Sequence, residues 1–139
     1  MEIKEKLKKI NFLISKESWL DMEILEIKGG NLVIACSTDF SYGHCLEIKF
    51  IDVFHVNINA EWKTDTSKAV LHMANDEECL AVNQNYQIEQ GNILFKITAE
   101  DLQVPFYISA KNLDYNTDSV LYYKKENLKD NERIADWVQ

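Results

Sequence analysis

Proline occurs once and glycine four times in 139 residues, too little of either for a collagen-like or linker-like chain. Three cysteines, Cys36, Cys45 and Cys79, are an odd number at irregular spacing and make a poor disulfide framework. Arginine occurs once, as Arg133, a bias that fits AT-rich coding and carries no functional weight. No stretch approaches the ~18–20 uninterrupted apolar residues of a membrane span. Residues 1–9 carry charges where a signal peptide needs an apolar segment. These absences together lead to the expectation of a reducing cytoplasm.

Chemical motifs are equally scarce. The chain has no CxxC, HExxH, GxSxG elbow, phosphate-cradling glycine loop or EF-hand loop. Zinc sites usually draw their ligands in closely spaced pairs. Here His44 and Cys45 are adjacent, while Cys36, His55, His72 and Cys79 stand singly, so no metal site and no cofactor are expected.

What is present is a core. Hydrophobic residues make up 46% of the chain, aromatics 11% and charged residues 27%. A chain of this length buries roughly two-thirds of its unfolded surface, which supports one globular domain over residues 1–139. The formal net charge is −8, and it is unevenly spread. Residues 1–28 balance, residues 29–110 carry a surplus of seven acids, and residues 111–139 a surplus of one. Such a field repels phosphate backbones, so neither nucleic acid nor an anionic membrane is an expected partner. It would steer a basic protein inward.

Hydrophobic periodicity gives the elements. Ile3, Leu7, Ile10 and Ile14 line one face of an N-terminal helix, with Glu2–Lys6 and Glu5–Lys9 pairs on the others. Leu25 and Ile27 run into Gly29-Gly30-Asn31 and out through Leu32, Ile34 and Cys36, a hairpin that places all five apolar residues on one face. Leu46, Ile48, Phe50, Phe54, Val56 and Ile58 share one parity over residues 46–58, and Asp52 breaks it. That length predicts a bulge near Asp52 and a bent strand. Ala69, Leu71 and Met73 alternate. Asn75-Asp76-Glu77-Glu78 reads either as a turn into a strand at Leu80 and Val82 or as the capping box of a short helix, and the turn is preferred. Tyr86 and Ile88 lead through Gln90-Gly91-Asn92 to Ile93, Phe95 and Ile97, a second hairpin. A connection over residues 99–103 reaches Pro105, a strand start or edge. Strands follow over residues 106–110 and 120–124. Ile134, Trp137 and Val138 have helical spacing within a closing helix over residues 128–138.

The expected class is therefore α+β and β-rich: a strongly bent antiparallel sheet or half-barrel with an N-terminal helix and a short C-terminal helix. A β-sandwich with peripheral helices is the alternative.

Three groups of residues carry candidate chemistry. The loop over residues 37–45 gathers hydroxyls, a carboxylate, the His44 imidazole and the Cys45 thiol. His44 can activate Cys45 only if the chain turns between them, because neighbours in an extended chain point to opposite sides. Asp52 and His55 can form an acid–base pair only across a bulge, and Asp52 can equally satisfy local backbone. Trp62, in a polar stretch with no core periodicity, is either an exposed interface anchor or a cap on the end of the core, and Tyr115 and Tyr123 are similar. No complete catalytic constellation is visible. The expected function is a small acidic binding domain of the toxin-neutralising or adaptor type. The binding residues would be His44, Cys45, Asp52, His55 and Trp62. A half-barrel binding a small molecule near residues 37–45 is the alternative. An edge strand such as the one beside Pro105 would permit a homo-oligomer.

Overall fold

The computed structural model describes residues 1–88, 90–100 and 102–139. The elements are α1 (Ile3–Ser15), β1 (Leu20–Lys28), β2 (Asn31–Ser37), β3 (Gly43–His44), β4 (Leu46–Asn57), β5 (Glu61–Thr64), β6 (Leu71–Met73), α2 (Asp76–Tyr86), β7 (Ile93–Ile97), β8 (Phe106–Asn116), β9 (Ser119–Leu121) and β10 (Glu132–Ile134). Seven strands in the order β5-β1-β2-β4-β8-β7-β6 form an antiparallel sheet that curls into a half-barrel. A three-stranded sheet, β10-β9-β3, lies beside it.

The helix explains the curl. Leu7, Ile10 and Ile14 are buried, and Ile3 packs against the same cluster, so the periodic stripe lies on the inner face of the sheet. There it meets Met22, Ile34, Cys36, Ile48, Phe50, Phe95 and Ile108. Phe50 and Phe95 cross edge to face at 5.3 Å, and Trp62 meets Phe106 likewise at 5.1 Å, an arrangement that aromatic quadrupoles favour. The second contact joins β5 to β8 across the open side of the curl. The helix is also tied by polar bonds. Asn11 Nδ2 donates to Leu71 O at 2.8 Å, and Asn11 Oδ1 accepts from the amides of Val70 and Leu71 at 2.8 and 3.0 Å. Lys6 Nζ donates to Leu113 O. Asn11 thereby occupies backbone groups of the edge strand β6, and the Glu100 amide bonds Lys63 O on the edge strand β5.

Local chemistry sets the strands. Gly29 and Gly30 take φ of 61° and 80° and pair Lys28 with Asn31, the two-residue hairpin turn that requires positive φ. A register shift between Ile24 and Glu26 turns Leu25 away from the core. The inner residues of β1 are Leu20, Met22 and Ile24, and Ile27, although opposite Leu32, is 62% exposed. The expected bend at Asp52 is present. Asp52 has φ 54°, its amide bonds Asn31 Oδ1, and the register with β8 shifts between Val53 and His55. The extra residue takes Phe54 out of the core, leaving it 47% exposed.

Four expectations change. Residues 76–86 are helical, because the N-cap Asn75 and Glu78 complete the capping box from both sides and satisfy first-turn amides. Leu80 and Val82 thus lie on α2 and not on a strand, and Tyr86 ends that helix. The partners of β7 are β6 and β8, not a second hairpin arm. The second short helix of the fold is this one. Residues 128–138 instead place β10 parallel to β9 and close with a single turn from Val138 to Ala135; ladder bonds to β9 outweigh the helical spacing of Ile134, Trp137 and Val138. Pro105 precedes β8, which lies between β4 and β7, so that strand is not an edge. Glu89 and, within the 99–103 connection, Asp101 lie outside the described residues.

Replacing Ile10 with Ala should cost about 3–4 kcal/mol, since the side chain is fully buried and the helix cannot collapse onto the sheet around it. Asn11→Ala should cost about 2–3 kcal/mol by leaving backbone groups of residues 70–71 unpaired. Urea unfolding followed by fluorescence measures both, and losses under about 1 kcal/mol would show that α1 does not organise the core.

Candidate functional site

The loop over residues 37–45 is built by its own side chains. Ser37 Oγ donates to Gly43 O at 2.6 Å and accepts from the Asp39 amide at 2.9 Å, and Asp39 Oδ1 accepts from the Ser41 amide. Trp19 Nε1 donates to Thr38 O at 3.0 Å. At Gly43 a Cβ would collide with the carbonyl oxygen of Val120, so only glycine lets β3 lie this close to β9. These contacts send His44 inward, where it is 4% exposed.

His44 is the centre of a polar chain. Its Nδ1 lies 2.6 Å from the Tyr122 hydroxyl and its Nε2 2.6 Å from Glu47 Oε2. Arg133 Nη2 donates to the same Glu47 oxygen at 2.8 Å, and Arg133 Nε lies 3.5 Å from Asp118 Oδ2. The His44 hydrogen bond and the Arg133 charge hold the Glu47 carboxyl below its ordinary range, against burial. A carboxylate only accepts, so Nε2 carries the hydrogen; Nδ1 accepts from the phenol when the imidazole is neutral and donates to it when the ring is protonated. Burial, with the charges of Glu23 and Glu47, pushes Tyr122 up to about 12. The phenol stays protonated at neutral pH and is a hydrogen-bond donor rather than a nucleophile. The chain joins β3, β4, β10 and the segment after β9, and so fastens the small sheet to the large one.

A row of carboxylates runs beside it on the outer face. Glu61 faces Glu23, Glu23 faces Ala35, and Ala35 faces Glu47 across β5, β1, β2 and β4. Burial, then the opposing Glu61, raises the Glu23 carboxyl, and His44 partly counters them. Among the described residues neither Glu23 nor Glu61 has an ion-pair partner. Two cavities open along the row. One of about 440 Å³ is lined by Leu25, Glu26, Val33, His44, Glu47, Arg133, Asp136 and Trp137 among others, and one of about 260 Å³ by Asp21, Glu23, Phe40, Glu61 and Lys63 among others. Trp137, on the lining of the first, is exposed, and Trp19 and Tyr42 are exposed elsewhere on the surface. Glu23 and Glu26 come from the segment that balances by charge count, so the acidic face is not confined to residues 29–110.

The sequence-derived candidates do not converge. Cys45 turns to the opposite side from His44, lining a cavity with Leu13, Glu17 and Leu20; its Sγ points to Cys36 O. Burial and Glu17 push the thiol up, the reverse of what a nucleophile needs. Asp52 is exposed and bonds Asn31 through its backbone, while His55 stacks on Tyr86 at 4.1 Å, with burial lowering its pKa. No hydrogen bond or ion pair joins Asp52 to His55 among the described residues. Trp62 is 7% exposed and belongs to the core, which corrects the exposed-anchor reading in favour of the core one: β5 alternates, and Trp62 shares the inner face with Met22. Tyr115 also packs against the core, and Tyr123 is exposed. No group of three or more His, Cys, Asp or Glu residues could hold a metal ion among the described residues. Tyr122, Glu47, Arg133 and Glu23 escaped the sequence reading. The one signal available was Arg133, a lone arginine.

Because the Glu47 carboxyl is depressed in the folded state, it stabilises the fold above its unfolded pKa near 4.5 and loses that contribution as pH falls through the lower folded value. Glu47→Gln should flatten the acid limb of a stability profile between about pH 5 and 2, as read by urea midpoints. An unchanged limb would remove Glu47 from the clamp. Glu61→Gln should add about 0.5 kcal/mol at pH 7 by relieving the opposed carboxylates, and that gain should vanish below about pH 4. A neutral or destabilising result at pH 7 would show that the pair is not in repulsion.

No helix among the described residues is long and apolar enough to cross a membrane. The chain matches no family model, and no curated protein or solved structure matches it.

Proposed function

We propose that the protein is a small binding domain that engages a basic protein partner through the outer face of its large sheet, as a toxin-neutralising or adaptor protein would. The observation that carries this reading is the Glu23–Glu61 pair, opposed across β1 and β5 with no cation paired to either among the described residues. Like charges placed opposite each other cost stability, and a basic surface seated on them would remove that cost. Trp137, which lines a cavity with Glu47 of the row, offers an exposed aromatic anchor. The −8 net charge adds long-range steering and disfavours phosphate-bearing partners.

The small-molecule alternative finds less support. The inner face is filled by α1, Phe50, Phe95 and Phe106, and His44, Cys45, Asp52 and His55 point apart. Self-association through a sheet edge is likewise disfavoured, since Asn11 and the Glu100 amide occupy backbone groups of β6 and β5. Free thiols at Cys36, Cys45 and Cys79 are consistent with a reducing, cytoplasmic setting.

The immobilised protein should retain a basic polypeptide at about 50 mM salt and release it as screening shortens toward about 0.5 M. Glu23→Lys with Glu61→Lys should weaken retention at least about tenfold, while Glu126→Lys with Asp130→Lys, both on exposed loop residues, should change it little. Retention that ignores salt, or that responds equally to both double variants, overturns the reading.

A further inference from the structure

The larger outer-face cavity has a chemistry of its own, and an inference about it rests on the basic-partner reading above. We propose that this cavity, between β1, β2 and the C-terminal segment, receives an arginine side chain of the partner. Its volume of about 440 Å³ lies at the low end of the roughly 300–1,000 Å³ typical of ligand pockets, which suits one long side chain better than a cofactor. Leu25 and Val33 give it an apolar floor beside the His44–Glu47 pair. Trp137 gives it an aromatic wall, 56% exposed and backed by Tyr122 at a ring distance of 5.0 Å. Glu26 and Asp136 stand at the rim, exposed and without an ion-pair partner among the described residues.

An indole wall with carboxylates at its margin is the surround that a guanidinium favours over an ammonium. The guanidinium is planar and weakly hydrated, stacks on an aromatic face and donates along its edges; the ammonium is a compact, strongly hydrated point charge. The fold already holds one guanidinium through carboxylates. Arg133, on the lining of the same cavity, donates to Glu47 at 2.8 Å and lies 3.5 Å from Asp118. That pair neutralises Glu47 and leaves Glu26 and Asp136 to an incoming cation. The Leu25 bulge contributes directly, because it turns Leu25 outward to become part of the floor.

The test titrates the labelled full chain with a short acetylated arginine–glycine peptide, and with its lysine counterpart, in nitrogen–proton correlation spectra at low salt. The expected result is saturable movement of the Trp137 indole N–H and of the Glu26 and Asp136 amides, with the arginine peptide bound at least about threefold more tightly than the lysine one. Trp137→Ala should weaken it about tenfold. Because Trp137 also touches Tyr122, Glu26→Gln with Asp136→Asn gives a second reading on exposed residues and should weaken it about fivefold. Equal binding of the two peptides overturns the guanidinium assignment. Movement centred on α2 or spread evenly over the acidic surface overturns the cavity and leaves the basic-partner reading standing. No movement with either peptide at millimolar concentration overturns both.

Discussion

The apolar stripe of α1 is the constraint on which the rest of the molecule depends. A seven-stranded sheet with one greasy face must cover that face, and a single helix can do so only if the sheet curls around it. Leu7, Ile10 and Ile14 provide the filling, while Asn11 fixes the depth of the helix by bonding the backbone of residues 70–71. The same bonds occupy groups of the edge strand β6, so one side chain both positions the helix and blunts an edge that could otherwise pair with another chain. Curling also brings Trp62 of β5 against Phe106 at the start of β8.

With the inner face committed to packing, chemistry is left to the outer one. Two treatments of buried or crowded charge stand side by side there. Glu47 is satisfied by His44 and Arg133, and that chain of bonds holds the small sheet in place. Glu23 and Glu61, in the same row across the strands, have no such partners among the described residues. The contrast separates a structural carboxylate from carboxylates left facing outward, and it lies within a few strands of the exposed indole of Trp137.

Much of the scaffold was legible from side-chain rhythm. The helix stripe, the Gly29-Gly30 turn and the bend at Asp52 follow from spacing and from the backbone freedom of a few residues. The misreadings have a common origin. Leu80 with Val82 fits a strand and Ile134 with Trp137 fits a helix, yet Asn75 and Glu78 capped the first into a helix while pairing with β9 drew Ile134 into a strand. Short segments of few apolar residues carry too little local preference to resist such contacts. Trp62 was left open between anchor and core for a related reason: one aromatic in a four-residue strand has no period to reveal its side.

The candidate site was barely legible, and the reason is geometric. His44 and Cys45 are neighbours in the chain and face opposite sides, whereas His44 and Tyr122 are 78 residues apart and share a hydrogen bond. The sequence by itself determined the elements whose signal is local: an amphipathic helix, alternating strands, glycine turns and a negative net charge. Tertiary structure alone decided which charges meet, because register across strands, not order along the chain, placed Glu61 against Glu23 and Arg133 against Glu47.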